Sequence, residues 1–165
     1  MINRTTTLEL FQENMKFSSG HFILLSETER EPYHGHNFRV YLAISTTVGN
    51  SGISFDFRLY KKKVRELCNH LDHSFLIPSQ SKFLKIKESS DQYEVFFNQE
   101  KLVFLKKDVT LLPIRNISVE ELSYWFITKL TEDEQTLAKH EVSKLVVKVF
   151  SDNTQSGSAS WEVSS

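Results

Sequence analysis

Apolar and polar positions change period several times along this chain, and each change marks an element. His36, Phe38, Val40, Leu42 and Ile44 alternate with Asn37, Arg39, Tyr41, Ala43 and Ser45, which predicts a strand over 36–46. Residues 8–25 read as an earlier strand with a bend, in which Phe11, Met15, Phe17 and His21 share one parity and so one apolar face. The polar, proline-bearing stretch SETEREP at 26–32 is a loop, and GNSG at 49–52 is a turn. The period then becomes helical. Phe57, Tyr60, Val64, Leu67 and Leu71 recur at spacings of three and four behind Asp56, a residue suited to an N-cap. A second helix is announced by Ser118 and Glu121 at capping-box spacing, with Val119, Leu122, Trp125, Phe126 and Leu130 as its apolar face. Residues 145–150 are β-rich, SDNTQSG is a turn, and Ala159, Trp161 and Val163 alternate in a last strand. The region 79–112 is the least regular, with two short strands at 93–97 and 101–105 around Asn98-Gln99.

The order is strand, strand, helix, small insertion, helix, strand, strand. Short connections favour antiparallel pairing, so the expected class is α+β: a four-stranded antiparallel sheet with two helices on one face, plus a small β insertion. Two helices cover only one face, so the other face and the edges call for further copies of the chain.

Composition narrows the setting. With 165 residues, the chain fits one domain, 1–165, with its insertion at about 79–112. A formal net charge of −1 gives no general attraction to nucleic acid or anionic lipid. Cys68 is the single cysteine, so no intrachain disulfide can form; it sits beside the helical stripe as a packing residue. No secretory signal or membrane-spanning apolar run stands out, and the expected location is the cytoplasm. Lysines 61–63 lie mostly off the stripe, as a solvated face would.

The chemistry concentrates in residues 17–40, FSSGHFILLSETEREPYHGHNFRV, which carry three of the six histidines. On a strand His34 and His36 share a face, and His21 on a neighbouring strand would add a third imidazole. Three neutral nitrogen donors with an open fourth position suit a catalytic zinc ion. Spacing alone fits a polar turn equally well. Asp72-His73 after the first helix pairs a carboxylate with an imidazole, a proton-shuttling arrangement or simply a helix end. His70 and His140 read as surface residues.

Together FSSGH, HGHNF, SGISFDF, LDHSFL and SVEEL resemble the 6-pyruvoyl-tetrahydropterin synthase family over most of residues 17–122, the terminal strands fitting in pattern only. The resemblance implies the tunnelling fold, a zinc ion on His21, His34 and His36, and a homohexamer of two stacked trimers with active sites between subunits. It also implies a catalytic Asp72-His73 pair. Where the family has a cysteine shortly before HGH, this chain has Glu31, in E-P-Y-H-G-H. That is similar to a subgroup with E-x-x-H-G-H, which converts 7,8-dihydroneopterin triphosphate into the folate precursor 6-hydroxymethyl-7,8-dihydropterin. Zinc would orient the side-chain diol, Glu31 and His73 would handle protons, and Asp72 would hold His73. Ser118 and Glu120 match positions near the pterin. The family's pterin-anchoring glutamate falls on Ser151, which leaves Asp152 or another acid for that contact. Alternatives are 6-carboxytetrahydropterin or 6-pyruvoyl-tetrahydropterin synthase, and, in another class, a non-catalytic zinc-containing binder of pterin- or purine-like ligands.

Overall fold

The computed structural model describes residues 4–163. Its elements run β1 (Arg4–Leu10), β2 (Lys16–His21), β3 (His34–Val48), α1 (Arg58–Leu71), β4 (Ser74–Pro78), β5 (Leu84–Glu88), β6 (Gln92–Phe97), β7 (Glu100–Leu105), β8 (Val109–Leu112), α2 (Val119–Thr131), α3 (Glu134–Lys139), β9 (Val142–Phe150) and β10 (Ser156–Glu162). The α+β class expected from the sequence is what forms.

The long strand β3 is the spine. β9 pairs with one edge of it and β10 with β9, both antiparallel. The other edge is shared: β1 pairs with Leu42–Val48 and β2 with His34–Arg39. The strand expected over 8–25 is therefore two strands, separated by a turn in which the Met15 N–H donates to the Gln12 carbonyl at 3.0 Å. That turn resets the parity. Met15, Phe17 and His21 are buried as expected, whereas Phe11 is 71% exposed. The four-stranded antiparallel unit is extended beyond β2 by β4 and β8, which pair in parallel. The 79–112 insertion is a three-stranded antiparallel sheet, β5-β6-β7, containing the expected hairpin and one strand more.

One face of β3 presents Phe38, Val40, Leu42 and Ile44 to the helices, all nearly fully buried. Tyr60, Val64, Cys68 and Leu71 of α1 and Leu122, Trp125, Phe126 and Leu130 of α2 close that core. At the start of α1, Phe57 is the N-cap residue and lends no side chain; the Asp56 carboxylate accepts the Arg58 N–H at 3.0 Å from one position further back. At α2 the Ser118 hydroxyl accepts the Glu121 N–H at 3.3 Å. The reciprocal half of the capping box is absent, because the Glu121 carboxylate holds the backbone N–H and guanidinium of Arg115 instead. The short α3, capped by Asp133, has no counterpart in the sequence pattern. His140 behind it is no free surface residue: its ring stacks on Phe55 at 4.5 Å and shares a 3.1 Å hydrogen bond with the Tyr60 hydroxyl.

Candidate active site

The core face of β3 continues past the helices at the strand's N-terminal end, and there its residues change from apolar to His36 and His34. β2 brings His21 directly opposite His34 in the antiparallel register, with Ser19 opposite His36. The three rings gather with centroids 4.5, 4.9 and 5.3 Å apart, above Phe38. One ligand nitrogen from each lies within 4.8 Å of the others. The HxH alternation is thus a cross-strand cluster, not a polar turn.

The donor set fits a metal ion on the strength of its hydrogen bonds. His21 Nδ1 lies 2.8 Å from the Ile117 carbonyl and His34 Nδ1 lies 3.0 Å from the Pro32 carbonyl. Each contact needs the proton on Nδ1, which leaves the Nε2 lone pair free for a ligand. His21 Nε2 is buried and has no hydrogen-bond partner, an expensive arrangement for a polar atom unless something binds it. Burial holds the His21 pKa down to about 4 against the Ile117 hydrogen bond, and the neighbouring His34 and His36 lower it further. The ring is therefore neutral, the form that ligates.

Glu31 stands at the mouth of this cluster. Its Oε2 is buried without a hydrogen-bond partner and lies 3.7 Å from His34 Nε2. The loop that carries it is closed by the Leu24–Arg30 bridge and by the Glu31 N–H donating to the Ile23 carbonyl at 2.8 Å. His21, His34, His36 and Glu31 share a cavity of about 310 Å³. Ser118 and Glu120, at the first turn of α2, form part of its wall, as do Ser151 and Gln155.

Asp72 and His73 lie elsewhere. They leave the C-terminal end of α1 and are stapled to β2 at Ser18, whose N–H donates to Asp72 Oδ1 at 2.7 Å and whose carbonyl accepts the His73 N–H at 2.8 Å. Asp72 Oδ2 is 2.8 Å from His73 Nδ1. Burial acts to raise the Asp72 pKa, but the Ser18 N–H and His73 outweigh it and hold the carboxyl below its ordinary value. The His73 side chain is 85% exposed and borders a shallow depression with Gly20, Gly35 and Asn37, on which His36 also opens. Within one chain the dyad does not line the cavity that holds Glu31.

Asp152 is also outside that cavity. Its Oδ1 accepts from the N–H groups of Thr154 and Gln155 and from the Thr154 hydroxyl, the bonds of a tight turn. Its neighbour Ser151 faces inward, 7% exposed, with its hydroxyl accepting from Gln155 Nε2 at 3.1 Å. Neither Gln155 nor the Ile117 carbonyl that orients His21 was legible as a site group, since a glutamine in a turn and a backbone oxygen leave no pattern.

The family model for 6-pyruvoyl tetrahydropterin synthase matches residues 10–161. The chain belongs to the 6-pyruvoyl tetrahydropterin synthase family. It is accordingly a pterin lyase, which favours the enzymatic reading over that of a non-catalytic binder. The crystal structure of the 6-pyruvoyl tetrahydropterin synthase of Plasmodium vivax superposes with a TM-score of 0.92 at 29% identity, covering 98% of this chain and 100% of that one. The Plasmodium falciparum structure gives 0.91 at 27% identity, with 98% and 100% covered. A glutamate-to-alanine variant of the Plasmodium vivax protein, described as a catalytic-residue mutant, is equally similar, with a TM-score of 0.92. Among curated relatives, a Methanocaldococcus jannaschii protein provisionally named a 6-carboxy-5,6,7,8-tetrahydropterin synthase is 24% identical over 136 residues, 82% of this chain and 83% of its own. A Pyrococcus horikoshii relative with the same provisional name is 26% identical over 138 residues, 83% of this chain and 80% of its own. The sheet differs from the expected four-stranded antiparallel one by the two parallel strands β4 and β8 beyond β2. No helix among the described residues is long and apolar enough to cross a membrane.

Proposed function

We propose that this family member is a zinc-dependent lyase that acts on 7,8-dihydroneopterin triphosphate and releases 6-hydroxymethyl-7,8-dihydropterin. The observation that carries this reading is the unpartnered Glu31 Oε2, 3.7 Å from His34 Nε2, in a cavity lined by no cysteine. The one cysteine, Cys68, is buried in α1 with its thiol pKa pushed up to about 12 by burial, the opposite of a nucleophile's environment. The Plasmodium vivax protein, in which a glutamate is described as catalytic, supports the same assignment.

His21, His34 and His36 would hold the ion, which when bound supplies Lewis acidity toward a side-chain hydroxyl of the substrate. Glu31 takes the hydroxyl proton. The bond between the first two side-chain carbons breaks, and the deprotonated hydroxyl on the second carbon becomes the carbonyl of a departing two-carbon aldehyde that carries the triphosphate. The pterin takes up the electron pair of the broken bond, and His73, held by Asp72, returns a proton to the first carbon. Because the dyad does not line its own chain's cavity, a second copy of the chain supplies it, in the hexamer of two trimers that the family resemblance implies. Ser118 and Glu120 contact the pterin. Glu120, rather than the turn-bound Asp152, is the acid free to pair with the pterin's amidine edge.

The test is Glu31→Gln, assayed on dihydroneopterin triphosphate with products identified by chromatography. Turnover is lost while metal content is kept; full activity in the variant removes Glu31 from the chemistry. The names of the archaeal relatives favour a second reading, a 6-carboxytetrahydropterin synthase. A carboxypterin product in the same assay selects it.

A further inference from the structure

The loop bearing Glu31 is gripped from one side by the insertion sheet, through the apolar cluster of Phe22, Leu24 and Phe97 and through one charged side chain, Arg30. Arg30 Nε donates to Glu100 Oε2 at 2.7 Å, and Arg30 Nη1 donates to the Glu31 carbonyl at 2.9 Å. The guanidinium carbon also lies 4.9 Å from the Tyr33 ring centroid and 5.3 Å from that of Phe22. Only 15% of the Arg30 side chain is exposed, against 50% for Glu100. Glu100 opens β7 opposite Phe97, and Phe97 is buried with Phe22 and Leu24, so the carboxylate is presented from a packed element.

Glu31 Oε2 is buried with no hydrogen bond among the described residues to fix it. What locates it is its backbone, held at the N–H by the Ile23 carbonyl and at the C=O by Arg30. A planar guanidinium can serve a carboxylate, a peptide oxygen and an aromatic face together, which an ammonium cannot. A partly exposed ion pair adds little to global stability, whereas displacing a reacting group by an ångström is costly in rate.

We propose that Arg30 and Glu100 are positioning residues for the Glu31 carboxylate, so that the 79–112 insertion sets the geometry of the proton acceptor without touching metal or substrate. This rests on the reading of Glu31 as the proton acceptor. The experiment compares the wild-type zinc-loaded enzyme with Arg30→Lys, Glu100→Gln and the swapped pair Arg30→Glu/Glu100→Arg. It measures kcat, KM, bound zinc and thermal midpoint, with Glu31→Gln alongside. The single variants lose roughly 10- to 100-fold in kcat, with KM, zinc content and midpoint nearly unchanged. The swapped pair restores the ion pair but not the contact to the Glu31 carbonyl, so its kcat stays low. Wild-type kcat in both single variants overturns the proposal, and so does a swapped pair that regains full kcat, because then only the ion pair matters. If Glu31→Gln is itself fully active, the reading of Glu31 fails and the positioning role with it. An inactive Glu31→Gln beside fully active Arg30 and Glu100 variants refutes the positioning role alone.

Discussion

His73 reaches its 2.8 Å contact with Asp72 from a left-handed backbone, φ 55°, just past the end of α1. That position normally takes glycine, because a Cβ there crowds the backbone at a cost of about 1 kcal/mol. A histidine held in this conformation with its ring in solvent is not there for packing. His73→Gly is expected to raise stability by about 0.5–1 kcal/mol while abolishing turnover. Urea unfolding beside an activity assay measures both, and a lower midpoint in the variant argues against strain at this residue.

The three-histidine cluster predicts metal-linked stability. Titrating metal-free protein with zinc should show about one ion per chain, and an excess of a hundred times the dissociation constant should add about 2.7 kcal/mol. His21→Ala removes the buried unpartnered nitrogen and should abolish the shift. A midpoint indifferent to zinc in the wild-type protein contradicts the donor set.

Acid should weaken the metal-free protein in a defined direction. Burial lowers the pKa of His21 to about 4, and that of His140 is also lowered, by burial first and then by Lys139 and Lys63. Unfolded, both titrate near 6.5, so below that pH the unfolded chain binds protons that the folded chain refuses. The stability from keeping these rings neutral is complete above pH 6.5 and is lost as the pH falls toward the folded values, about 4 for His21. The urea midpoint should drop across this range, and His140→Gln should flatten part of the drop. An unaltered slope in that variant assigns the effect elsewhere.

Gly157 of β10 approaches α2 so closely that a Cβ would come within 2.3 Å of the Val119 carbonyl carbon and oxygen. Backbone cannot rotate aside as a side-chain tip can. Gly157→Ala should cost about 1–3 kcal/mol and shift the first turn of α2, which carries Ser118 and Glu120 into the cavity wall. A fall in thermal midpoint with a raised KM is the expected pair of results.

What the sequence revealed follows from how local each signal is. β3, α1 and α2 announce themselves because each buries one face against a common core, and burial writes a period into the residues. β4 and β8 went unread: SFLIP and VTLL are short, and both pair in parallel with strands distant in the chain. Phe11 was placed on the wrong face because parity carries no information across the turn at Gln12. In the site, histidines at alternate positions on β3 were legible from the residues themselves, whereas Glu31 stood out only through the family resemblance, since a loop glutamate leaves no pattern of its own. That Asp72 and His73 stand apart from Glu31 was not, since neighbourhood across a sheet depends on register and not on residue type.

The aromatic cluster of Phe22, Leu24 and Phe97 is separate from the main core under α1 and α2. Two cores allow two degrees of opening. Amide hydrogens of β5–β7 and of the loop leading to Glu31 should exchange through a local event that leaves β3 and β9 closed, and therefore faster than theirs. The histidine cluster would then belong to the slow-exchanging body and the glutamate to the fast one, so that an ion held by the histidines would be kept through fluctuations that momentarily displace the proposed base.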